Sequence, residues 1–302
     1  YKFSQKRAPP ASLGFWPLLV SLPTAAAAAN LTAPSLTVHE DASRILLISA
    51  SEHRVYSRWD KTNHRALSLY GRAMADAVRA HALPPRERAR VLMLGLGGGV
   101  IAGDVLCNPG TMDVGSITAI EAFTAVARLA EARFFPKIFS GACQPMRKRL
   151  YVVVGDAMAG GLDAVADVRT RAHGLEALAD RLMGPASEPA RFSSILVDVP
   201  AAYETAVGVP TSFYQRLLGL GAAHASLVVN TMYGTRAELG TLEAMLRAAG
   251  WQNVTQRVLG QCAEAAAPPQ RHGTLYKAPL RRNCHATWRP RMNVIFGATR
   301  GD

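Results

Sequence analysis

The central part of the chain alternates short apolar runs with segments whose apolar residues recur at helical spacing. Such runs are typical of strands buried on both faces of a parallel sheet, with the intervening helices covering those faces. Strands are predicted at 89–95, 116–121, 150–154, 193–199, 226–231, 251–258 and 291–297. Helices are predicted near 98–106, 123–134, 211–220 and 236–249. The pattern therefore indicates an α/β fold with a doubly covered, mostly parallel sheet.

Ahead of this domain the pattern is shorter and typical of strands. The strand-like runs lie at 44–48, 53–59 and 64–70. A polar turn at 60–63 joins the last two, which predicts a small β-hairpin region, and a helix over 72–82 follows it. The expected organisation is a small N-terminal β region plus helix over 34–85 and a main domain over 86–302.

The segment 1–33 is expected to lie outside the fold. Three basic residues precede an apolar run at 13–22 and an alanine run at 25–29, a pattern typical of a signal peptide. The apolar run is too short and too broken by proline for a transmembrane span. The acid-poor composition also fits an organelle transit segment, so secretion, organelle import and a cytoplasmic location stay open. Two glycosylation sequons, at Asn30 and at Asn253, would matter only on the secretory route.

Composition sets broad limits on the class of protein. The chain has 302 residues, of which 49% are hydrophobic and 19% charged, which is typical of a globular protein with a large core. The net charge is +12, and the stretch 265–301 carries seven arginines and lysines but no acidic residue. The inserted loop 263–290 could therefore be a solvated basic segment or could bind nucleic acid. No nucleic-acid-binding motif accompanies the charge.

The four cysteines give no clear framework. Cys107, Cys143, Cys262 and Cys284 are too few and too scattered for a disulfide scaffold, and no Cys-x-x-Cys pair indicates a metal site. We expect free buried thiols and no bound metal. A bridge between Cys262 and Cys284, which flank the basic insertion, is the alternative in an oxidising compartment.

Candidate chemistry begins at the glycine-rich turn after strand 89–95. This turn reads Gly95-Leu96-Gly97-Gly98-Gly99 and leads directly into a helix. Glycines let the backbone approach a nucleotide-bearing ligand at a helix N-terminus. No Gly-Lys-Ser/Thr follows, which excludes a P-loop, and Val100 stands where the dinucleotide fingerprint has its last glycine. A tight turn without a ligand remains an alternative.

Acidic residues follow three of the predicted strands. Glu121, Asp156 and Asp198 each stand at the end of an apolar run. The carboxyl ends of parallel strands are where such sheets bind ligands. Glu121 lies 24 residues after Gly97, close to the offset of roughly 20 residues at which an acid binds ribose hydroxyls. Together these acids predict a nucleoside site.

The order of these features resembles the class I S-adenosylmethionine-dependent methyltransferase fold, a Rossmann-like sheet whose last strand is antiparallel. More narrowly it resembles the spermidine synthase-like (polyamine aminopropyltransferase) family. The segments that carry the resemblance are 91–99, 125–136, 150–157, 195–198, 212–214 and the final strand around 293–295. The resemblance implies S-adenosylmethionine or its decarboxylated form as donor and no metal. A homodimer is a further expectation.

The resemblance also implies a role for each candidate residue. Gly95, Gly97 and Gly99, with Gly98 in the same turn, would lie near the methionine part of the ligand. Glu121 would hold the ribose hydroxyls, and Asp156 with Ala157 would meet the adenine. Asp198 stands where the family keeps the acid that helps to deprotonate the attacking amine. Tyr203 or Glu204 could line the acceptor site, or could be ordinary loop residues.

Departures from the family leave the acceptor open. Ala201 stands where the aminopropyltransferases have a second aspartate, and a chain of charge +12 repels a cationic polyamine. We therefore predict a transferase that moves a methyl or aminopropyl group to an unidentified acceptor. A non-catalytic scaffold on the same fold is the alternative, and an NAD-dependent oxidoreductase is a further one.

Overall fold

The protein is described from a computed structural model. The residues described are 20–21, 35–49, 55–80, 88–108, 113–157, 191–199, 209–232, 236–259 and 293–300. The rest of the predicted targeting segment, the stretch 158–190 and the basic insertion at 263–290 lie outside these ranges.

The described residues form twelve strands and six α-helices. The strands are β1 (Val20–Ser21), β2 (Leu36–Glu40), β3 (Arg44–Ser49), β4 (Val55–Asp60), β5 (Arg65–Ala66), β6 (Ala89–Leu94), β7 (Val114–Glu121), β8 (Leu150–Val154), β9 (Phe192–Val197), β10 (Gly221–Met232), β11 (Trp251–Leu259) and β12 (Asn293–Arg300). The helices are α1 (Leu69–Ala80), α2 (Val100–Cys107), α3 (Thr124–Leu129), α4 (Phe135–Ile138), α5 (Thr211–Leu220) and α6 (Arg236–Ala248). A π-helical turn (Ala130–Phe134) joins α3 to α4, and a 3₁₀ helix (Gly141–Arg149) precedes β8.

The main sheet has eight strands in the order β1-β8-β7-β6-β9-β10-β12-β11. Its edge strand β1 belongs to the segment 1–33 that was expected to lie outside the fold. Neighbours from β1 to β10 pair in parallel, whereas β12 is antiparallel to both β10 and β11. The predicted Rossmann-like sheet, mostly parallel with an antiparallel last strand, is confirmed. A separate antiparallel sheet, in the order β2-β3-β4-β5, forms the small β region that precedes it.

The hydrophobic core consists of two layers, one on each face of the main sheet. Successive residues of a strand point to opposite faces. In β6, Val91 and Met93 accordingly join a cluster with α1, α2 and the small sheet, whereas Leu92 and Leu94 join a cluster with α5 and α6. This double burial explains why the strands read as nearly unbroken apolar runs.

A buried carboxylate on α2 ties the small sheet and α1 to the main domain. Asp104 is fully buried, and its Oδ2 accepts a hydrogen bond from the Ala66 N–H of β5 at 2.8 Å. Its Oδ1 pairs with Nη1 of Arg79, on α1, at 3.0 Å. The same guanidinium also donates to the Asp104 carbonyl at 3.0 Å. The interface between the two regions therefore contains a charged network as well as apolar contacts.

Two local predictions were wrong. The predicted strand at 64–70 is confined to β5, and α1 begins at Leu69. The reason is Ser68, whose Oγ accepts a hydrogen bond from the Gly71 N–H at 3.2 Å and caps the helix three residues earlier than predicted. The predicted helix at 123–134 contains the π-helical turn and extends beyond it through α4.

The prediction of free thiols was wrong for Cys107 and Cys143, which form a disulfide. Cys107 ends α2 and Cys143 lies in the 3₁₀ helix, with Cα atoms 5.3 Å apart, a normal separation for a bridge. The two residues are 36 positions apart, and only the packing of α2 against the 3₁₀ helix brings them together. Cys262 and Cys284 lie outside the described residues.

None of the described helices is long and apolar enough to cross a bilayer.

Candidate functional site

The candidate site is the edge of the main sheet where the parallel strands end. Strand order reverses between β6 and β9, because β7 and β8 lie on one side of β6 and β9 and β10 on the other. Ligands of open α/β sheets bind at such a switch point. The structure brings four predicted site residues to this edge: Gly95 after β6, Glu121 at the end of β7, Asp156 after β8 and Asp198 after β9.

Glu121 holds the glycine-rich turn in place. Its Oε2 accepts hydrogen bonds from the N–H groups of Leu96 at 3.0 Å and Gly97 at 3.1 Å. Its Oε1 accepts from the Phe123 N–H at 3.0 Å. Burial raises the pKa of this carboxyl group, and the backbone hydrogen bonds oppose that effect. The carboxylate and the turn therefore form one unit.

Gly95 is required by the close approach of two strand ends. Its φ is +86°, and a Cβ atom there would lie 2.1 Å from the Asp198 carbonyl oxygen. Gly97 also has a positive φ, of +53°, and a Cβ there would meet the Ser57 hydroxyl at 2.8 Å. Both glycines are partly exposed, so they form the accessible part of the turn.

Gly98 and Gly99 have a packing role that the sequence did not reveal. A Cβ on Gly98 would lie 2.8 Å from the Phe134 ring, and one on Gly99 would lie 2.6 Å from the Phe135 ring. Both glycines are buried, and the Gly98 N–H donates to Oγ of Ser57, on β4, at 2.8 Å. The small sheet therefore contacts the turn directly. A ligand-binding role for these two glycines stays a prediction.

Asp198 has a partner that sequence analysis missed. Nδ2 of Asn230, on the neighbouring strand β10, donates to Asp198 Oδ1 at 2.8 Å. Asn230 is 1% exposed, whereas Asp198 is half-buried. The amide fixes the orientation of this half-buried carboxylate. Asn230 directly follows the apolar residues Leu227–Val229 in the same strand. This position could have indicated the partner of Asp198, because a buried amide requires hydrogen-bond partners.

Asp156 and Ala157 follow β8, next to the Glu121 strand. The Gly155 N–H donates to the Glu121 carbonyl at 2.9 Å, which fixes the start of this loop beside the ribose candidate. Asp156 is half-buried and Ala157 is buried. Tyr203 and Glu204 lie outside the described residues. Among the residues described, no group of three or more His, Cys, Asp or Glu side chains could hold a metal ion.

The geometry defines a class: a Rossmann-like domain with a candidate site at the ends of its parallel strands, preceded by a small antiparallel sheet. No family model and no curated protein matches the chain. Among solved structures, the chain is similar to a probable spermidine synthase from Corynebacterium glutamicum ATCC 13032. The identity is 15%, the match covers 87% of this chain and 76% of that one, and the TM-score is 0.57.

Two further structures are more distant. The match to spermidine synthase from Thermotoga maritima has 13% identity and a TM-score of 0.47, and covers 88% of this chain and 72% of that one. The match to the O-methyltransferase from Bacillus cereus in complex with SAH has 10% identity and a TM-score of 0.44. It covers 78% of this chain and 83% of that one. The predicted resemblance to spermidine synthases is confirmed at the level of the fold by the match with the TM-score of 0.57.

Proposed function

We propose that the protein is a transferase that binds S-adenosylmethionine, or its decarboxylated form, at the carboxyl edge of the main sheet. The observation that carries this proposal is the unit formed by Glu121 and the glycine-rich turn. The Asp198–Asn230 pair lies on the other side of the switch point. The fold is shared with transferases of both kinds, since its neighbours include spermidine synthases and O-methyltransferases.

The residues present fit the donor. A carboxylate offers about four lone-pair positions. The N–H groups of Leu96, Gly97 and Phe123 donate to Glu121, and so does that of Ala122, so a sugar hydroxyl would share an oxygen with one of them or take its place. In the proposed complex Glu121 holds the ribose and the partly exposed Gly95 and Gly97 lie along the methionine part. Asp156 and Ala157 border the adenine.

The donor supplies an electrophilic carbon next to a sulfonium. The protein's task is then to align a nucleophile with that carbon and to exclude water. Asp198 is the candidate base for an attacking amine, because its carboxylate is half-buried and is oriented by Asn230. The group transferred is methyl or aminopropyl, and the acceptor is unidentified. A non-catalytic binding relative of the same fold is the alternative.

Calorimetric titration with four ligands tests the proposal: S-adenosylmethionine, decarboxylated S-adenosylmethionine, S-adenosylhomocysteine and methylthioadenosine. Preference for the decarboxylated donor and methylthioadenosine would indicate aminopropyl transfer. Preference for the other two would indicate methyl transfer. A folded sample that binds none of them would contradict the proposal.

Asp198→Asn is expected to separate binding from turnover. The asparagine keeps the shape and an oxygen that can accept from Asn230, but it cannot take a proton. We expect donor affinity to stay within a few-fold, and transfer to fall by about 10²–10⁴-fold. Transfer is read as release of S-adenosylhomocysteine or methylthioadenosine in the presence of a panel of amines. Equal transfer by both proteins would exclude Asp198 as base.

Donor affinity is expected to depend on pH through Glu121. Burial raises the pKa of Glu121 above its ordinary value of 4.5, and only the ionised carboxylate is a strong acceptor for ribose hydroxyls. Affinity should therefore rise with pH through the raised pKa and level off above it, with proton release on binding in that window. Titrations in buffers of different ionisation enthalpy measure this release. An affinity that is constant across the window would contradict the assignment of Glu121 to the ribose.

A further inference from the structure

The sequon Asn253-Val254-Thr255 lies on an exposed sheet edge. It is part of β11, the last strand of the main sheet, which pairs with β12 on one side. Asn253 and Thr255 are exposed, whereas Val254 packs partly against the core layer formed with α5 and α6. Val254 thus anchors the strand, whereas the side chains of Asn253 and Thr255 are exposed to solvent.

The backbone at this point is bulged. Gln252 pairs with Thr299 and Thr255 with Gly297, so two residues of β11 stand opposite one residue of β12. Asn253 has a φ of +49°, in the left-handed region that asparagine tolerates better than most residues. Its Nδ2 donates one exposed hydrogen bond, to Thr299 Oγ1 at 3.1 Å. An amide nitrogen carries two hydrogens, so substitution of one leaves the other for this bond.

The disulfide indicates the compartment independently. Structural disulfides such as Cys107–Cys143 form and persist in oxidising environments, which include the secretory pathway. Sequons of this type are glycosylated on that pathway. The exposed sequon and the disulfide, which lie on different elements, therefore agree on one environment.

We propose that Asn253 is an N-glycosylation site of this protein. Asn253 Nδ2 forms a bond to the anomeric carbon of an oligosaccharide carried on a lipid pyrophosphate. The bond from that carbon to the pyrophosphate oxygen breaks, the lipid pyrophosphate leaves with the electron pair, and the amide nitrogen gives up one proton. The glycan would cover the edge of β11 that faces away from β12, where no strand of the described residues pairs and where association with other strands is a risk.

The test uses the full-length protein expressed in cultured eukaryotic cells. The tryptic peptide 248–257 is analysed by mass spectrometry before and after enzymatic removal of N-glycans, and Cys107 and Cys143 are probed by alkylation. We expect most of the peptide to carry a glycan, with conversion of Asn253 to aspartate on its removal, and both thiols to be protected. Asn253→Gln and Thr255→Ala should lose the modification, whereas Thr255→Ser, which restores the sequon, should retain it.

Glycosylation of Asn253 is measured independently of nucleoside binding. Failure of this proposal is therefore distinguishable from failure of the proposed function. An unmodified peptide in protein that contains the disulfide would overturn the proposal. An unmodified peptide with both thiols free would overturn both the site and the compartment. Asn30→Gln is the matched control, because it removes the other sequon and should leave the peptide's glycan unchanged.

Discussion

Glu121→Ala is expected to weaken binding of S-adenosylhomocysteine, or of methylthioadenosine if that is the preferred product, by at least about 100-fold. A hydrogen bond to a charged group contributes about 1.5–3 kcal/mol, and each 1.4 kcal/mol is a tenfold change in affinity. The substitution removes the bonds proposed for the ribose. It also removes the acceptor of the Leu96 and Gly97 N–H groups, so the turn loses its fixed shape. Calorimetry measures the loss, and circular dichroism checks that the variant folds.

Glu243→Ala is the matched control. Glu243 also accepts hydrogen bonds, from Arg247 and Gln256, but it lies on α6, which packs against β11 and away from the switch point. We expect the Glu243→Ala variant to bind the same ligand with the affinity of the wild type. Equal affinity in a folded Glu121→Ala protein would remove Glu121 from the site, whatever ligand binds.

Asp104→Ala is expected to lower the free energy of unfolding by about 3–5 kcal/mol, the usual effect of removing one partner of a buried ion pair. Arg79, which is 9% exposed, would lose its buried Asp104 partner and keep the ion pair with Asp76, whose side chain is 57% exposed. The Ala66 N–H would also lose its acceptor. Because these groups join α1 and β5 to α2, the loss falls on the contact between the small sheet and the main domain. Urea denaturation followed by circular dichroism measures it.

Asp113→Ala tests whether burial causes this effect. Asp113 pairs with Arg88 at 2.9 Å and with Arg149 at 3.1 Å, but its side chain is 53% exposed. Exposed pairs contribute about 0–1 kcal/mol, so this variant should lose no more than that. A similar loss in both variants would show that charge loss alone, rather than burial, sets the cost.

Much of the fold follows from the spacing of apolar residues. The strand at 150–154 and the helix at 211–220 have the predicted bounds, since both end at clear changes in pattern. The remaining predicted strands of the main sheet agree to within a few residues, apart from β10, which begins at Gly221. Local patterns were sufficient here because each strand is buried on both faces and each helix on one.

Features that depend on contacts between distant residues were not predictable in the same way. No local pattern pairs Cys107 with Cys143, and none places Ser57 of the small sheet against Gly98. The same distinction between local patterns and distant contacts applies to the candidate site. Glu121 and Asp198 could be found because each ends an apolar run, whereas the link from Asn230 to Asp198 exists only through strand pairing.

The Cys107–Cys143 bridge also acts on the denatured protein. It closes a loop of 36 residues that contains β7, Glu121 and α3. A cross-link of that span lowers the conformational entropy of the denatured chain by an amount equivalent to about 4 kcal/mol at room temperature. The ribose-binding candidate therefore belongs to the part of the chain whose freedom is already restricted before it folds, and reduction would restore that freedom without removing any contact of Glu121.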